Sequence, residues 1–173
     1  MLSLRLLYIN DITKDISSDI RLFAENCILY CVIRSQSDCI ALHADIDRLH
    51  SWATTWQMQF NSSKCHILSI SHKRNPGLSS YYLGTDQLSS VDSYPYLGIT
   101  VSSDLRWDKH VSALIKATRH LISFVVTSMV VPQKVKSLAY TCLIRPMLEY
   151  ATAAWDPYRA KDINKLDLSL IHI

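Results

Sequence analysis

Two stretches of this chain keep apolar residues at helical spacing, and the stretch between them does not. Leu42, Ile46, Leu49, Ala53 and Trp56 step by four, three, four and three, which gathers them on one face of a helix. Asp45, Asp47, Arg48 and His50 are expected largely off that face, and Asp38 is the expected N-cap. Val111, Leu114, Ile115, Thr118, Leu121, Ile122 and Val125 form a second stripe. The intervening residues are β-patterned: Cys65 to Ser71, Tyr81 to Leu83 and Tyr94 to Val101. His72-Lys73-Arg74-Asn75-Pro76-Gly77 punctuates them as a turn, and Gly84-Thr85-Asp86 as another. Earlier, two β-favouring runs flank Glu25-Asn26, which predicts a hairpin with that pair at its tip. This ordering predicts an α+β fold: a small antiparallel sheet with one packed helix, then a bundle of about three helices. The expected boundary lies between residues 1–101 and 102–173.

The C-terminal third carries more helix signals. Pro132 sits at a helix start, followed by Val135, Leu138, Cys142 and Leu143. Pro146 should break or restart that helix. Leu148 to Trp155 is expected to form a further short helix, and Ala160 to about Leu170 another.

Composition narrows the function classes. Only 3 glycines occur in 173 residues, which argues against a Gly-rich phosphate loop and against a turn-dense β-sandwich. The formal charge of +3 permits a nucleic-acid partner without demanding one. Cys27, Cys31, Cys39, Cys65 and Cys142 are odd in number and lack a C-x-x-C, so reduced thiols are expected rather than a disulfide scaffold or zinc site. The apolar run Leu121 to Val131 is shorter than a membrane span. Met1 to Asn10 holds Arg5 and no small-residue cleavage site, and does not read as a signal peptide. The expectation is an intracellular protein, nuclear or cytoplasmic, with no membrane partner. No G-x-S-x-G elbow is present to suggest a hydrolase.

Several phrases are specific in combination. Leu7-Tyr8-Ile9-Asn10-Asp11-Ile12 precedes Arg21-Leu22-Phe23-Ala24-Glu25-Asn26. Trp56-Gln57-Met58-Gln59-Phe60-Asn61-Ser62-Ser63-Lys64-Cys65 follows the first helix. Tyr96-Leu97-Gly98-Ile99, Leu105-Arg106-Trp107-Asp108-Lys109-His110 and Arg145-Pro146-Met147-Leu148-Glu149-Tyr150-Ala151 complete the series. Their order and spacing resemble the C-terminal half of the reverse transcriptase domain of non-LTR (LINE-type) retrotransposons, from Leu6 to about Lys165. The resemblance implies the last part of a polymerase palm over 1–101 and a thumb-like helical region over 102–173. It also implies a start just after the segment that shapes the nucleotide pocket. The apolar end Leu166 to Ile173 departs from the family and reads as a frame-shifted or truncated terminus.

By that resemblance, Leu22 to Leu29 is the palm hairpin that carries catalytic aspartates. The family's F-A-D-D is here Phe23-Ala24-Glu25-Asn26. Nucleotide addition is an in-line displacement held by two Mg²⁺ ions about 3.5–4 Å apart, each wanting oxygen ligands at about 2.0–2.1 Å. Glu25 keeps a charge on a longer arm, and Asn26 keeps an oxygen without the charge. Mg²⁺ is thus the implied cofactor, and this chain is expected to bind none, with Glu25 the remaining candidate ligand. The resemblance also implies a metal-binding aspartate from an earlier palm strand, ahead of the matched part, for which Asp11, Asp15 and Asp19 could substitute only from loop and turn positions.

Lys64 matches a family lysine near the incoming triphosphate, a general acid for the leaving pyrophosphate. Its ordinary reading is a solvated turn lysine. Tyr96, Leu97 and Gly98 match the strand and turn that grip the primer end. Lys109, Lys116 and His120 step by seven and four off the apolar stripe, a face that a thumb would lay on duplex phosphates. Trp52, Trp56, Trp107 and Trp155 are expected in the core rather than as base-stacking platforms. The expected partner is an RNA/DNA primer-template. The expected activity is that of an RNA-directed DNA polymerase fragment, inactive alone. A non-catalytic nucleic-acid-binding or interaction module is the alternative, with self-association through an exposed sheet edge.

Overall fold

Ser35 commits the chain to its first long helix. Its side chain meets the backbone of Asp38, while the Asp38 carboxylate accepts from the Ser35 N–H at 2.8 Å and the Arg34 N–H at 2.8 Å. This is a capping box, which satisfies orphan amides at the helix start. The N-cap is therefore Ser35, and Asp38 is the third residue of the helix rather than its cap. In the computed structural model, which describes residues 9–24, 26–71, 79–127 and 132–170, this helix (α1) runs Gln36–Thr55. Gln57, at φ 52°, turns the chain away.

The chain divides into two compact units. The first comprises Met1–Ile67 with Asn75–Ser90, the second Leu68–Arg74 with Val91–Ile173. The first holds a hairpin, β1 (Asp19–Phe23) and β2 (Asn26–Tyr30), paired from Asp19↔Tyr30 to Phe23↔Asn26. It also contains the short strands β3 (His66–Ile67), β4 (Tyr82–Leu83), β5 (Asp86–Gln87) and β6 (Ser89–Ser90). β4 and β5 pair antiparallel around Gly84, whereas β3 and β6 pair parallel. Cys39, Leu49 and Ala53 of α1 are buried with Tyr81 and Ile12.

Asp45 breaks the expected pattern. It is completely buried. Its carboxylate accepts the amides of Ser17 at 3.0 Å and Ser18 at 2.7 Å, and pairs with Arg48. Burial alone would push this carboxyl up, but the hydrogen bonds from Ser18, Ser17 and Arg48 outweigh it and hold it below the usual carboxylate range. The residue thus ties the segment before β1 onto α1.

The second unit begins with a hairpin, β7 (Ser93–Tyr96) and β8 (Ile99–Ser102). The expected single strand from Tyr94 to Val101 is folded in two at Leu97-Gly98, both at positive φ (47° and 81°). α2 (Asp108–Thr127) follows. Its Val111, Leu114 and Ile115 form the core with Trp155, and Ile99, Trp107, Met147, Leu148, Ala151 and Leu166 pack against them. Each aliphatic residue fully buried contributes about 1.5–3 kcal/mol, against about 1 kcal/mol for a typical hydrogen bond. Packing on α2 therefore dominates the stability of this unit. Thr118 is also buried, its hydroxyl donating to the Leu114 and Ile115 carbonyls.

α3 (Gln133–Ala139) starts after Pro132 and leads through a π turn, Tyr140–Ile144, into α4 (Arg145–Glu149). Pro146 cannot donate a hydrogen bond and crowds the carbonyl four residues back. The helix meets this by a wider turn in which the Arg145 N–H reaches the Tyr140 carbonyl. The expected helix over Leu148–Trp155 does not form. Residues 150–154 are turns, with Ala151 at φ 54°. α5 (Ala160–Leu170) closes the description.

The α+β class stands. Among the described residues the strands form four separate two-stranded ladders rather than one sheet. The 72–77 turn and the segments 1–8 and 171–173 lie outside the described residues. No helix among the described residues is long and apolar enough to cross a membrane.

Candidate functional site

The two units hold different parts of the sequence-derived site. In the first, Glu25 lies outside the described residues. Asn26 opens β2 directly opposite Phe23, exposed, and is a ladder residue rather than part of the turn. Ala24 sits at φ 50°. Lys64 ends a 3₁₀ turn, Ser62–Lys64, that Asn61 caps by accepting from the Ser63 amide at 3.1 Å and the Ser63 hydroxyl at 2.6 Å. Burial pushes the Cys27 thiol up to about 11, and the nearby Cys65 thiol adds to the shift. Cys31, Cys39 and Cys142 are likewise free thiols.

Asp19 begins β1 and pairs with Tyr30, at the other end of the hairpin from Phe23; four strand residues span ~13 Å. Asp11 is engaged with Lys14 at 2.8 Å, and Asp15 occupies a turn at φ 63°. Among the described residues no group of three or more His, Cys, Asp or Glu side chains is arranged to hold a metal ion. The oxygen that Asn26 offers is a neutral carboxamide. Asn26 by itself therefore offers no charged oxygen of the kind a two-Mg²⁺ centre uses.

In the second unit Tyr96, Leu97 and Gly98 form the end of β7 and the turn of its hairpin. The Leu97 carbonyl accepts from the Tyr150 hydroxyl at 3.0 Å. The Tyr150 ring covers Gly98, where an added Cβ would lie 3.0 Å from Cε1. Two of the sequence phrases, 53 residues apart, are thus joined by one hydrogen bond. Lys109 donates to the Ser93 hydroxyl at 3.2 Å, at the hairpin end away from Leu97-Gly98. Lys116 is exposed two turns along α2. The backbone of His120 continues α2, and its side chain lies outside the described residues.

His110, inside the Leu105–His110 phrase, turns out to be a framework residue. It is buried. Its Nδ1 accepts from the Thr100 amide at 3.3 Å, so the neutral ring carries its proton on Nε2. Burial pulls its titration below the usual imidazole value. Its ring meets Trp155 edge-on at 4.5 Å. Trp155 is core as expected, and its Nε1 donates to the Tyr150 carbonyl at 2.8 Å. Trp107 and Trp52 are half-buried, whereas Trp56, at the C-cap of α1, is exposed.

Sequence reasoning missed Asp45, Tyr150 and His110 as organising residues. Tyr150 and His110 lay within quoted phrases, so their place in those phrases was the available signal. Asp45 had none, because a charged residue in a helix ordinarily reads as solvated.

The chain is similar to curated proteins. It is 24% identical over 145 residues to the RNA-directed DNA polymerase from mobile element jockey of Drosophila funebris, covering 78% of this chain and 16% of that protein. It is 23% identical over 128 residues to the protein of the same description from Drosophila melanogaster, covering 70% of this chain and 14% of that protein. The chain thus spans about a sixth or less of the length of these relatives. No family model matches, and no solved structure matches. The similarity supports a reverse-transcriptase-like region.

Proposed function

We propose that this chain is a segment of a non-LTR retrotransposon reverse transcriptase that holds an RNA/DNA primer-template and adds no nucleotides by itself. The observation that carries the reading is the similarity over 145 residues to the jockey polymerase of Drosophila funebris. Residues 1–101 would be the palm portion and 102–173 the thumb portion. Tyr96, Leu97 and Gly98 would meet the primer end, and Lys109, Lys116 and His120 the duplex phosphates. Inactivity follows from Glu25 and Asn26 at the positions of the family's aspartates. A methylene displaces the charge of the first, and the second has none. Misplacement of about 1 Å can cost on the order of 10²-fold in rate. Lys64 would still stand where a leaving pyrophosphate takes its proton.

The test has two arms. Primer extension on poly(rA)/oligo(dT) with Mg²⁺ or Mn²⁺ should give no product from the natural chain, and product would overturn the inactive reading. Product from the Glu25→Asp, Asn26→Asp double variant alone would identify the tip as the defect. Binding to an RNA–DNA hybrid should weaken with salt. Two phosphate-facing lysines predict a log–log slope of about −2. Absent or salt-independent binding would sink the nucleic-acid reading.

A second reading, an interaction module, draws on exposed Phe23, Val32 and Ile40 in the first unit and on the outer edges of the two-stranded β1–β2 ladder. It predicts concentration-dependent self-association in sedimentation, and a monomer at all concentrations would count against it.

A further inference from the structure

The Leu97-Gly98 turn is held from two sides. Tyr150 donates to the Leu97 carbonyl at 3.0 Å and lays its ring on Gly98. The Tyr150 carbonyl is itself anchored by Trp155 Nε1 at 2.8 Å. Trp155 packs on His110, and His110 accepts the Thr100 amide of β8. The same few side chains therefore hold the turn and the second strand of its hairpin.

Leu97 is an odd choice for this position. Two-residue turns with both residues at positive φ favour Asn or Gly at the first place. A leucine at φ 47° carries a cost of about 1–2 kcal/mol. A hairpin shaped by stability alone has no use for it. Such strain persists where surrounding contacts enforce it, and it clusters at sites that engage a ligand. Here the turn is closed by the Tyr96↔Ile99 pair, and the added contact on it is the hydroxyl of Tyr150.

We infer that Tyr150 is a positioning residue, whose hydroxyl fixes the strained Leu97-Gly98 turn for contact with the recessed 3′ end of a primer. The inference rests on the reading of the chain as a reverse transcriptase segment. Tyr150 touches no substrate in this scheme. It acts through the turn.

Tyr150→Phe keeps the ring and deletes one oxygen. The experiment compares full-length natural and variant chains in anisotropy titrations with two RNA–DNA hybrids of equal length, one with a recessed primer terminus and one blunt. The natural chain should prefer the recessed terminus. The variant should lose about 2–10-fold of that preference, the worth of one hydrogen bond, while its affinity for the blunt hybrid stays unchanged. A residue with only a structural role would lower both affinities together, and that result would overturn the inference. No change on either hybrid, or a natural chain without preference between them, would overturn it too and leave the wider functional reading intact. A natural chain that binds neither hybrid would overturn that wider reading and this inference with it.

Discussion

Asp45, held ionised by its hydrogen bonds against its burial, and His110, held neutral by burial, are polar anchors that respond to acid in different windows. Asp45→Ala leaves the Ser17 and Ser18 amides without their acceptor. Both bonds are part-buried, so water recovers some of what is lost, and a net loss of about 1–3 kcal/mol, one to two hydrogen bonds to a charged acceptor, is expected in urea unfolding. The Asp45 carboxyl is held below its ordinary value, which makes its contribution full above the unfolded pKa of about 3.9 and lost as pH falls through the folded value. That window lies below about pH 4. His110 has its folded titration lowered by burial, so the unfolded chain takes the proton first. Its contribution is full above the unfolded pKa of about 6.5 and declines as pH falls below it. His110→Gln should flatten the decline of the unfolding midpoint between about pH 6.5 and 5. An unchanged slope would show that other groups cause it.

At the scale of elements, the hairpins differ in what surrounds their glycines. Gly98 (φ 81°) lies under a ring that is hydrogen-bonded to the residue beside it, whereas Gly84 (φ 63°) lies under exposed His50. An alanine at either position meets the left-handed penalty, about 1–2 kcal/mol. His50 can turn away, but Tyr150 cannot without breaking its bond to Leu97. Gly98→Ala should therefore cost more than Gly84→Ala in denaturant titration, and equal costs would show that Tyr150 yields freely. The helical run Gln133–Glu149 shows how one residue alters an element without ending it. Pro146 converts one turn to the wider π form, and the run continues.

Taken as a whole molecule, the chain was legible where a long local pattern decided the element, and misread where a short stretch admitted two conformations, as at Tyr94 to Val101. The α2 stripe from Val111 to Thr118 is buried as its spacing implies. The hairpin around residues 24–25 follows from its two flanking β-favouring runs. The parallel pairing of His66–Ile67 with Ser89–Ser90 had no such signal, because it joins short segments far apart in sequence. The turns at 150–154 were misread as helix because Leu148, Ala151 and Trp155 keep helical spacing and face the core, while the residues between them are exposed and Ala151 turns the chain at φ 54°. The site was legible as phrases, but not as the contacts that join them. The bond between Tyr150 and Leu97 closes a separation of 53 residues. Closing a loop of that length carries an entropy cost of ~3.5 kcal/mol before any contact repays it. The turn itself is local and forms with its hairpin, whereas its lock waits for the segment around Tyr150 to dock. Tyr150→Phe is therefore expected to release a brake, speeding unfolding of the second unit while leaving its folding rate almost unchanged, a split that stopped-flow kinetics in urea would read.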